Sequence, residues 1–177
     1  MSRTVEARIA RSEEYLRGHE SLFYERKSRF AAAADRLRAA GLGDTDILVD
    51  VGAGLTELDV VLRVDHGWRG RYVPVDAWVD GTDLADWTPP RAVEWFAALE
   101  VLEHLLDPEA LVERFKQHAL SGFVITTPNP DRVDVLAMDP THVTPIDQKA
   151  LRGWGMRTTL HNFYGAFQDG IAAVWVP

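Results

Sequence analysis

Hydrophobic and polar positions follow two different patterns along this chain. In residues 5–40 apolar side chains recur at intervals of three and four, which predicts helices from Glu6 to Arg17 and from Ser21 to Ala40. Gly41 and Gly43 mark the end of the second helix, because glycine adopts the left-handed conformation that stops a helix. The second helix must pack on another element through an apolar stripe of Leu22, Phe23, Phe30, Ala33, Ala34 and Leu37.

From residue 46 onward, short apolar runs alternate with helical stretches. Runs that lack strict alternation predict strands buried on both faces, as in a parallel sheet covered by helices. The last stretch, Met156 to Pro177, predicts an antiparallel hairpin around a turn at residues 168–170. The predicted fold is therefore α/β: a three-layer, Rossmann-like, mostly parallel sheet with a C-terminal antiparallel hairpin and an N-terminal helical arm. The four strand-like runs are residues 47–49, 72–75, 93–99 and 123–125.

Three of the four predicted strands lead directly into a carboxylate. Asp50, Asp76 and Glu100 hold these positions, and Thr126 follows the fourth strand. Because ligands of open α/β sheets bind beyond the carboxyl ends of the strands, these acids are candidates for ligand contacts. Helix starts are predicted from cap signals at Thr56 with Asp59, at Asp107 with Pro108, and at Thr144 and Pro145 with Asp147.

The connection between the second and third predicted strands is short. Only sixteen residues separate Asp76 from Val93, which is too few for a helix, another strand and their loops. We expect the second crossover helix to be missing or reduced to a turn.

Length and composition bound the architecture. The 177 residues, 46% of them hydrophobic, suffice for one domain with a buried core, in which residues 1–43 form the arm and residues 44–177 the body. No apolar run approaches the roughly 20 residues that a membrane span needs, so a soluble, cytoplasmic protein without membrane contact is expected. The absence of cysteine excludes thiolate metal sites and thiol nucleophiles.

The net charge of −8 is unevenly distributed. Residues 1–40 carry nine Lys and Arg against six Asp and Glu, whereas residues 41–177 carry ten against twenty-one. A basic arm on an acidic body is typical either of an exposed, arginine-rich helical face or of contact with an anionic substrate or RNA.

The stretch from Asp50 to Thr56 carries the strongest chemical signal. Gly52 and Gly54 follow a strand and precede a helix, where a glycine loop lets the backbone approach a ligand closely. A dinucleotide fingerprint would place a third glycine at position 57, where Glu57 would oppose a pyrophosphate. The loop therefore suits a ligand with a positive group better than one with phosphates.

This arrangement resembles the class I S-adenosylmethionine-dependent methyltransferases, whose first motif is an acidic residue followed by G-x-G. Thr56 stands where the family often has a third glycine. The resemblance implies S-adenosyl-L-methionine as cofactor, with Asp50 near its methionine ammonium. It also implies that Gly52 and Gly54 let the backbone of the loop pass close to the cofactor. It also implies that Asp76 accepts hydrogen bonds from the ribose hydroxyls. Asp83 and Leu84 are implied at the adenine ring, with Asp80 as a competitor for Asp83.

A second segment, Glu100-Val101-Leu102-Glu103-His104-Leu105, closely resembles the E-V-L-E-H-L segment of many small-molecule and RNA methyltransferases. In those relatives the first acid, here Glu100, lies near the cofactor, and the Glu-His pair shapes the substrate side. A T-P-N stretch and a later histidine also occur there, matching Thr127 to Asn129 and His142. His104 and His142 are the candidate general bases, since histidine titrates near neutral pH.

The same residues allow a metal-dependent alternative. Methyltransferases that act on the 3′-terminal ribose of small RNAs carry a Glu-x-x-Glu-His segment and a later histidine as a divalent-metal site. Glu100, Glu103, His104 and His142 match that set, and two carboxylates with two imidazoles suit Mg²⁺, Mn²⁺, Co²⁺ or Fe²⁺. His104 can equally serve without metal as a base, or pack near a helix start.

Three functions follow as hypotheses. The chain is a methyltransferase acting on a small molecule or nucleotide, a metal-dependent RNA ribose 2′-O-methyltransferase that binds RNA through its basic arm, or a non-catalytic S-adenosylmethionine-binding module. An NAD-dependent enzyme is disfavoured by Glu57. The acceptor and the oligomeric state are not determined by these patterns.

Overall fold

The computed structural model describes residues 23–76 and 81–177. The helices are α1 (Phe23–Ala40), α2 (Glu57–His66), α3 (Pro108–His118), α4 (Val135–Met138) and α5 (Gln148–Gly153), with a 3₁₀ helix at Leu102–His104. The strands are β1 (Ile47–Val51), β2 (Arg71–Val75), β3 (Val93–Leu99), β4 (Ala119–Pro128), β5 (Arg157–His161) and β6 (Gly170–Trp175). The predicted helix from Glu6 to Arg17 lies outside the described residues.

The six strands form one sheet in the order β2-β1-β3-β4-β6-β5. The first four are parallel to one another, while β6 runs antiparallel to both β4 and β5. The predicted mostly parallel sheet with a C-terminal antiparallel hairpin is therefore confirmed. β2 lies on one side of β1, and β3, the next strand along the chain, lies on the other side. The strand order therefore reverses between β1 and β3, and open α/β sheets bind ligands at such a switch point.

Alternating residues of the strands face two separate apolar layers. On one face Leu48 and Trp95 pack under α1 and α2, together with Leu37 of α1. On the other face Phe96 stacks on Phe115 of α3 with ring centroids 4.9 Å apart. The three-layer arrangement follows because the central strands β1 and β3 carry buried apolar side chains on both faces and need a helical cover on each.

The connection from β2 to β3 is as short as the spacing predicts. Its described part, Asp76 and residues 81–92, contains a turn and no helix. Trp87 takes the place of a crossover helix and packs edge-on against Phe96, with ring centroids 6.4 Å apart. Beneath it, Val73, Val75 and their neighbours line an apolar cavity of about 260 Å³.

The cap signals predict two of the three helix starts correctly, at Asp107 and at Thr56, and the third incorrectly. Asp107 accepts a hydrogen bond from the backbone of Ala110, with Pro108 in the first turn, as predicted. At Thr56 the start of α2 is as predicted, but the expected side-chain cap is wrong: Thr56 has a left-handed backbone with φ of 61° and makes no side-chain cap hydrogen bond. The predicted start at Thr144 is also wrong, since α5 begins four residues later with Asp147 as its N-cap.

The hairpin connection is longer than the predicted three-residue turn. Residues 162–169 link β5 to β6, and the carboxylate of Asp169 holds this loop by accepting backbone hydrogen bonds from Tyr164 and Ala166. In the described part of the chain, no helix has both the length and the apolar character needed to cross a bilayer.

Candidate functional site

The glycine loop lies between the carboxyl ends of β1 and β2. The backbone N–H of Gly52 donates to the Val75 carbonyl at 2.8 Å, which ties the loop to the end of β2. Gly52 has φ of +79°, and a Cβ there would lie 2.3 Å from a methyl carbon of Val101. Glycine is therefore required at position 52 both by backbone conformation and by close packing against the protein itself.

Gly54 differs from Gly52 in its surroundings. Its φ is +50°, yet a Cβ there would meet only a carboxylate oxygen of Glu57, at 3.9 Å. The loop is thus open to an approaching ligand at Gly54 and closed by Val101 at Gly52. A side chain at either position would strain the backbone, but only at position 52 would it also collide with a neighbour.

Asp50 lies buried under this loop, with only 3% of its surface exposed. One carboxylate oxygen accepts a hydrogen bond from the Tyr72 hydroxyl, and the other, Oδ1, has no hydrogen-bond partner among the described residues. Burial raises the pKa of Asp50 to about 7; the hydrogen bond from Tyr72 opposes that rise, and the negative charge of Asp76 adds to it. A cationic group beside Asp50 would offset the cost of burying its ionised carboxylate.

Asp76 lies directly after β2 on the other side of the loop, 8% exposed. Its Oδ2 accepts a hydrogen bond from the Gly54 backbone at 3.0 Å. The two aspartates thus flank the glycine loop from neighbouring strands, as the resemblance implies.

The residues implied at the adenine ring differ in their surroundings. Leu84 is half-buried, with its Cδ1 3.6 Å from the position that a Cβ on Gly52 would take, so it lies against the loop. Asp83 is exposed, and its carboxylate accepts a backbone hydrogen bond from Ala85. Asp80 lies outside the described residues.

Two arginines of α1 reach the acids at this edge of the sheet. Arg26 pairs with Glu57, the first residue of α2, at 2.9 Å. Arg29 lies 3.4 Å from Glu100 at the end of β3, and its guanidinium carbon lies 5.6 Å from the ring centre of Tyr164. Neither pair is predicted from the sequence, although the spacing of three residues places the two arginines on one face of a helix.

Several basic side chains of α1 form ion pairs with acids elsewhere in the protein. Besides these two pairs, Lys27 contacts Asp65 at 2.8 Å and Arg38 contacts Asp44 at 3.0 Å. Four cations of the described arm therefore face acids of the body. This pairing accounts for part of the charge asymmetry without an external anion.

A second cluster lies at the carboxyl ends of β3 and β4. Ligand atoms of Glu103, His104 and His142 lie within 4.8 Å of one another, and the two imidazole rings are 4.6 Å apart between centroids. Backbone hydrogen bonds from Val143 and Thr144 to the carbonyl of Glu103 bring the histidines together. Glu100 does not belong to this cluster of described residues; its side chain turns to Arg29.

Hydrogen bonds determine which nitrogen of each histidine carries a proton. Nδ1 of His142 lies 2.7 Å from the Val135 carbonyl, which can only accept, so Nδ1 is the donor. Thr141 donates its hydroxyl proton to Asp139 and therefore accepts from Nδ1 of His104 at 2.9 Å. In their neutral forms both rings then have the lone pair on Nε2, the arrangement of a base or a metal ligand.

Glu103 completes the cluster as a fully buried acid. Thr127 donates to its Oε2 at 3.3 Å, whereas Oε1 has no hydrogen-bond partner among the described residues. Burial raises the pKa of Glu103 well above its usual value, and the nearby charge of Glu100 adds to the rise. Burial likewise raises the pKa of Glu100, against the opposing effect of Arg29.

Comparison with known proteins finds likeness in structure and not in sequence. No family model and no curated protein matches the chain. A chain in the complex between the Haloferax volcanii Trm112 methyltransferase activator and a protein described as a methyltransferase is 14% identical, with a TM-score of 0.67 over 97% of this chain and 94% of that one.

Two further solved structures extend this likeness. A SAM-dependent methyltransferase from Aquifex aeolicus is 13% identical, with a TM-score of 0.62 over 92% of this chain and 96% of that one. A chain in the Pnkp1/Rnl/Hen1 RNA repair complex is 17% identical, with a TM-score of 0.51 over 81% of this chain and 40% of that one. The chain has the class I methyltransferase fold.

Proposed function

We propose that this protein is an S-adenosylmethionine-dependent methyltransferase acting on a small-molecule or nucleotide acceptor. The observation that carries the proposal is the pair of buried carboxylates, Asp50 and Asp76, on the two sides of the glycine loop. Their position at the carboxyl edge beside the switch point supports a ligand site. The likeness to methyltransferase structures supports the same choice of ligand.

The chemistry of the donor groups fits this cofactor. Oδ1 of Asp50 has no hydrogen-bond partner in the described part of the chain, so it suits the methionine ammonium, since a buried acceptor without a hydrogen bond costs about 1–3 kcal/mol. A carboxylate such as Asp76 has two acceptor oxygens for the two hydroxyls of a ribose. Leu84 offers an apolar surface to the adenine, and Glu100 lies at the adjoining strand end. Glu57, paired with Arg26 at the start of α2, disfavours a pyrophosphate there.

S-adenosylmethionine, when bound, supplies an electrophilic methyl group on a sulfonium. The protein aligns the acceptor with this group and keeps water out of the cleft. We assign the general base to His142, with His104 beside it. Nε2 of His142 takes the proton of an acceptor hydroxyl or amine, while Nδ1 stays bonded to the Val135 carbonyl and holds the ring in place.

Calorimetry with S-adenosylhomocysteine tests the proposal. The wild-type protein should bind it in the micromolar range, and Asp76→Asn should weaken binding at least tenfold without lowering the melting temperature by more than a few degrees. Asp86→Asn, at an exposed acid of the same connection that has no implied cofactor contact, is the matched control and should leave the affinity unchanged. Failure to bind S-adenosylhomocysteine, or tighter binding of NAD, would overturn the assignment. Binding without methyl transfer to any acceptor would instead support a non-catalytic module.

The cluster of Glu103, His104 and His142 favours a second candidate, the metal-dependent RNA ribose 2′-O-methyltransferase. One carboxylate and two imidazoles form a set that suits Mn²⁺, Fe²⁺ or Co²⁺, and both histidines have the Nδ1 hydrogen bonds that orient metal ligands. A bound ion would lower the pKa of a ribose hydroxyl. Glu100 would act from outside the ligand set, next to Arg29.

Metal binding separates the two candidates. If the second holds, Mn²⁺ should bind with a stoichiometry of one, and its affinity should fall at least tenfold in His142→Gln and Glu103→Gln. The ion should also raise the melting temperature of the wild-type protein alone. An unchanged melting temperature at millimolar Mn²⁺ would exclude the metal-dependent candidate and leave the metal-free mechanism.

A further inference from the structure

Large apolar side chains are exposed around the two histidines. Leu106 is 88% exposed, Leu136 51% and Val143 46%, and Met138 is also exposed. They lie on the three segments that the histidine contacts join: the turn after the 3₁₀ helix, α4, and the loop that carries His142. Exposed apolar groups that gather on a few segments mark a binding surface more often than scattered ones do.

An open cavity of about 500 Å³ adjoins this surface. Its lining combines apolar side chains with three charged ones: Val133, Val135, Leu136 and Pro145, and Asp131, Arg132 and Asp134. The carbonyl of Val135 is also the group that holds His142, which places the cavity next to the assigned base. The cavity therefore adjoins the segment that binds Nδ1 of His142, and a long ligand that fills it could extend along this segment toward the histidines.

The charges of these segments are mostly negative. Apart from the buried Glu103, residues 102–107 and 129–147 contain five carboxylates and a single arginine, Arg132. Such a surface attracts a cation and repels a polyanion, because a nucleic acid brings one negative charge per phosphate.

We infer that the acceptor is an amphipathic small molecule, with an apolar body for Leu106, Leu136, Met138 and Val143 and a neutral or cationic polar end that carries the methylated hydroxyl or amine. The inference rests on the proposed methyltransferase function and specifies its substrate class. The apolar body would contact the exposed side chains, while the polar end lies between the carboxylates and the histidines. In the reaction a bond forms between the acceptor oxygen or nitrogen and the methyl carbon, the sulfur keeps the electron pair of the broken bond, and His142 takes the acceptor proton.

Binding of simple probes tests this inference. In the presence of saturating S-adenosylhomocysteine, decylamine should bind at least tenfold more tightly than decanoate, which has the opposite charge, and than butylamine, which lacks the long apolar body. Leu136→Asn and Val143→Asn should each weaken decylamine binding at least threefold. The matched control is Leu120→Asn, because Leu120 is 59% exposed at the start of β4, at the opposite edge of the sheet. That variant should leave the affinity unchanged.

Two results would overturn the inference while leaving the proposed function intact. One is a protein that binds S-adenosylhomocysteine but binds decanoate or a short 3′-hydroxyl RNA more tightly than decylamine. The other is an equal loss of decylamine affinity in Leu120→Asn and Leu136→Asn, since binding would then be nonspecific. Loss of S-adenosylhomocysteine binding itself would instead count against the methyltransferase function.

Discussion

The Tyr72 hydroxyl donates a hydrogen bond to the buried carboxylate of Asp50, 2.5 Å away, across the neighbouring strands β1 and β2. This contact is the only hydrogen bond of that carboxylate among those found in the described residues, because its Oδ1 has no partner there. Burial, the larger effect, raises the pKa of the Tyr72 phenol, and the charge of Asp50 adds to it, so the phenol stays the donor. The stability of the fold is therefore linked to the protonation of Asp50 in the candidate cofactor site.

Stability should therefore fall as the pH rises toward neutrality. The folded-state pKa of Asp50, about 7, lies above its ordinary value of 3.8. Its stabilising protonation is fully present below pH 4 and is lost as the pH rises through 7, which is worth at most about 4 kcal/mol. Asp50→Asn lacks this group, so urea denaturation should show the variant gaining stability relative to wild type between pH 4 and 7.5. If the free energies of unfolding of the two proteins changed equally with pH, the raised pKa of Asp50 would be contradicted.

Ligand binding should be linked to the same proton. A cationic ammonium beside Asp50 favours the ionised carboxylate, so binding of S-adenosylhomocysteine should release a proton from Asp50 near pH 6.5. Affinity should accordingly rise from pH 5.5 to 7.5. Calorimetry in two buffers with different ionisation enthalpies measures the release. In Asp50→Asn binding should be weaker, and the part of the proton release due to Asp50 should disappear; equal release in both proteins would be incompatible with this role.

Gly52 should tolerate alanine less well than Gly67. Both glycines have positive φ, +79° and +63°, but a Cβ at position 67 meets nothing within 4 Å whereas one at position 52 would lie 2.3 Å from Val101. Gly67→Ala should cost about 1–2 kcal/mol for the backbone conformation alone. Gly52→Ala should cost a further 1–3 kcal/mol, roughly, because of overpacking. Chemical denaturation compares the two, and equal losses would show that the contact with Val101 is unimportant.

Arg29 should matter more to stability than its neighbour Lys27. The side chains of Arg29 and Glu100 are 12% and 14% exposed, against 40% and 34% for Lys27 and Asp65. Arg29→Ala leaves Glu100 buried without its cation, which typically costs about 3–5 kcal/mol. Lys27→Ala breaks a more exposed pair and should cost less than about 1 kcal/mol.

A second variant identifies the cause of the Arg29 effect. If the loss comes from an uncompensated charge, Glu100→Gln in the Arg29→Ala background should restore part of the stability. Denaturation of the single and double variants at pH 8 measures this recovery. A double variant less stable than Arg29→Ala would mean that Arg29 acts through packing against Tyr164 instead.

The chemistry of the glycine loop and of the strand ends can be predicted from local sequence. Apolar runs of the right length become strands wherever they are buried on both faces, so the sequence predicts Asp50, Asp76 and Glu100 at or next to strand ends, where they lie. A count of residues predicts the short β2–β3 connection, whose described part contains no helix. The predicted cap at Thr56 is wrong because its side chain suits a cap, whereas the loop imposes a left-handed backbone that no cap signal reveals.

The partners of these acids depend on tertiary structure. Glu100 and Glu103 are three residues apart and are equivalent as metal ligands by sequence, but Glu100 has a positive φ of 58° and turns to Arg29, while Glu103 joins the histidines. Arg29 comes 71 positions before Glu100, and no local sequence pattern predicts their ion pair. Only the packing of α1 on the sheet brings the two together.

The amino-acid sequence by itself determined the strands of the sheet, their order along the chain and the acids at the strand ends, because these depend on periodicity and on residues close together in the chain. Tertiary structure alone decided which acid faces a cation, which nitrogen of each histidine keeps its lone pair, and where apolar side chains stay exposed. Those properties depend on burial and on hydrogen bonds between distant segments, and both exist only once the layers have packed.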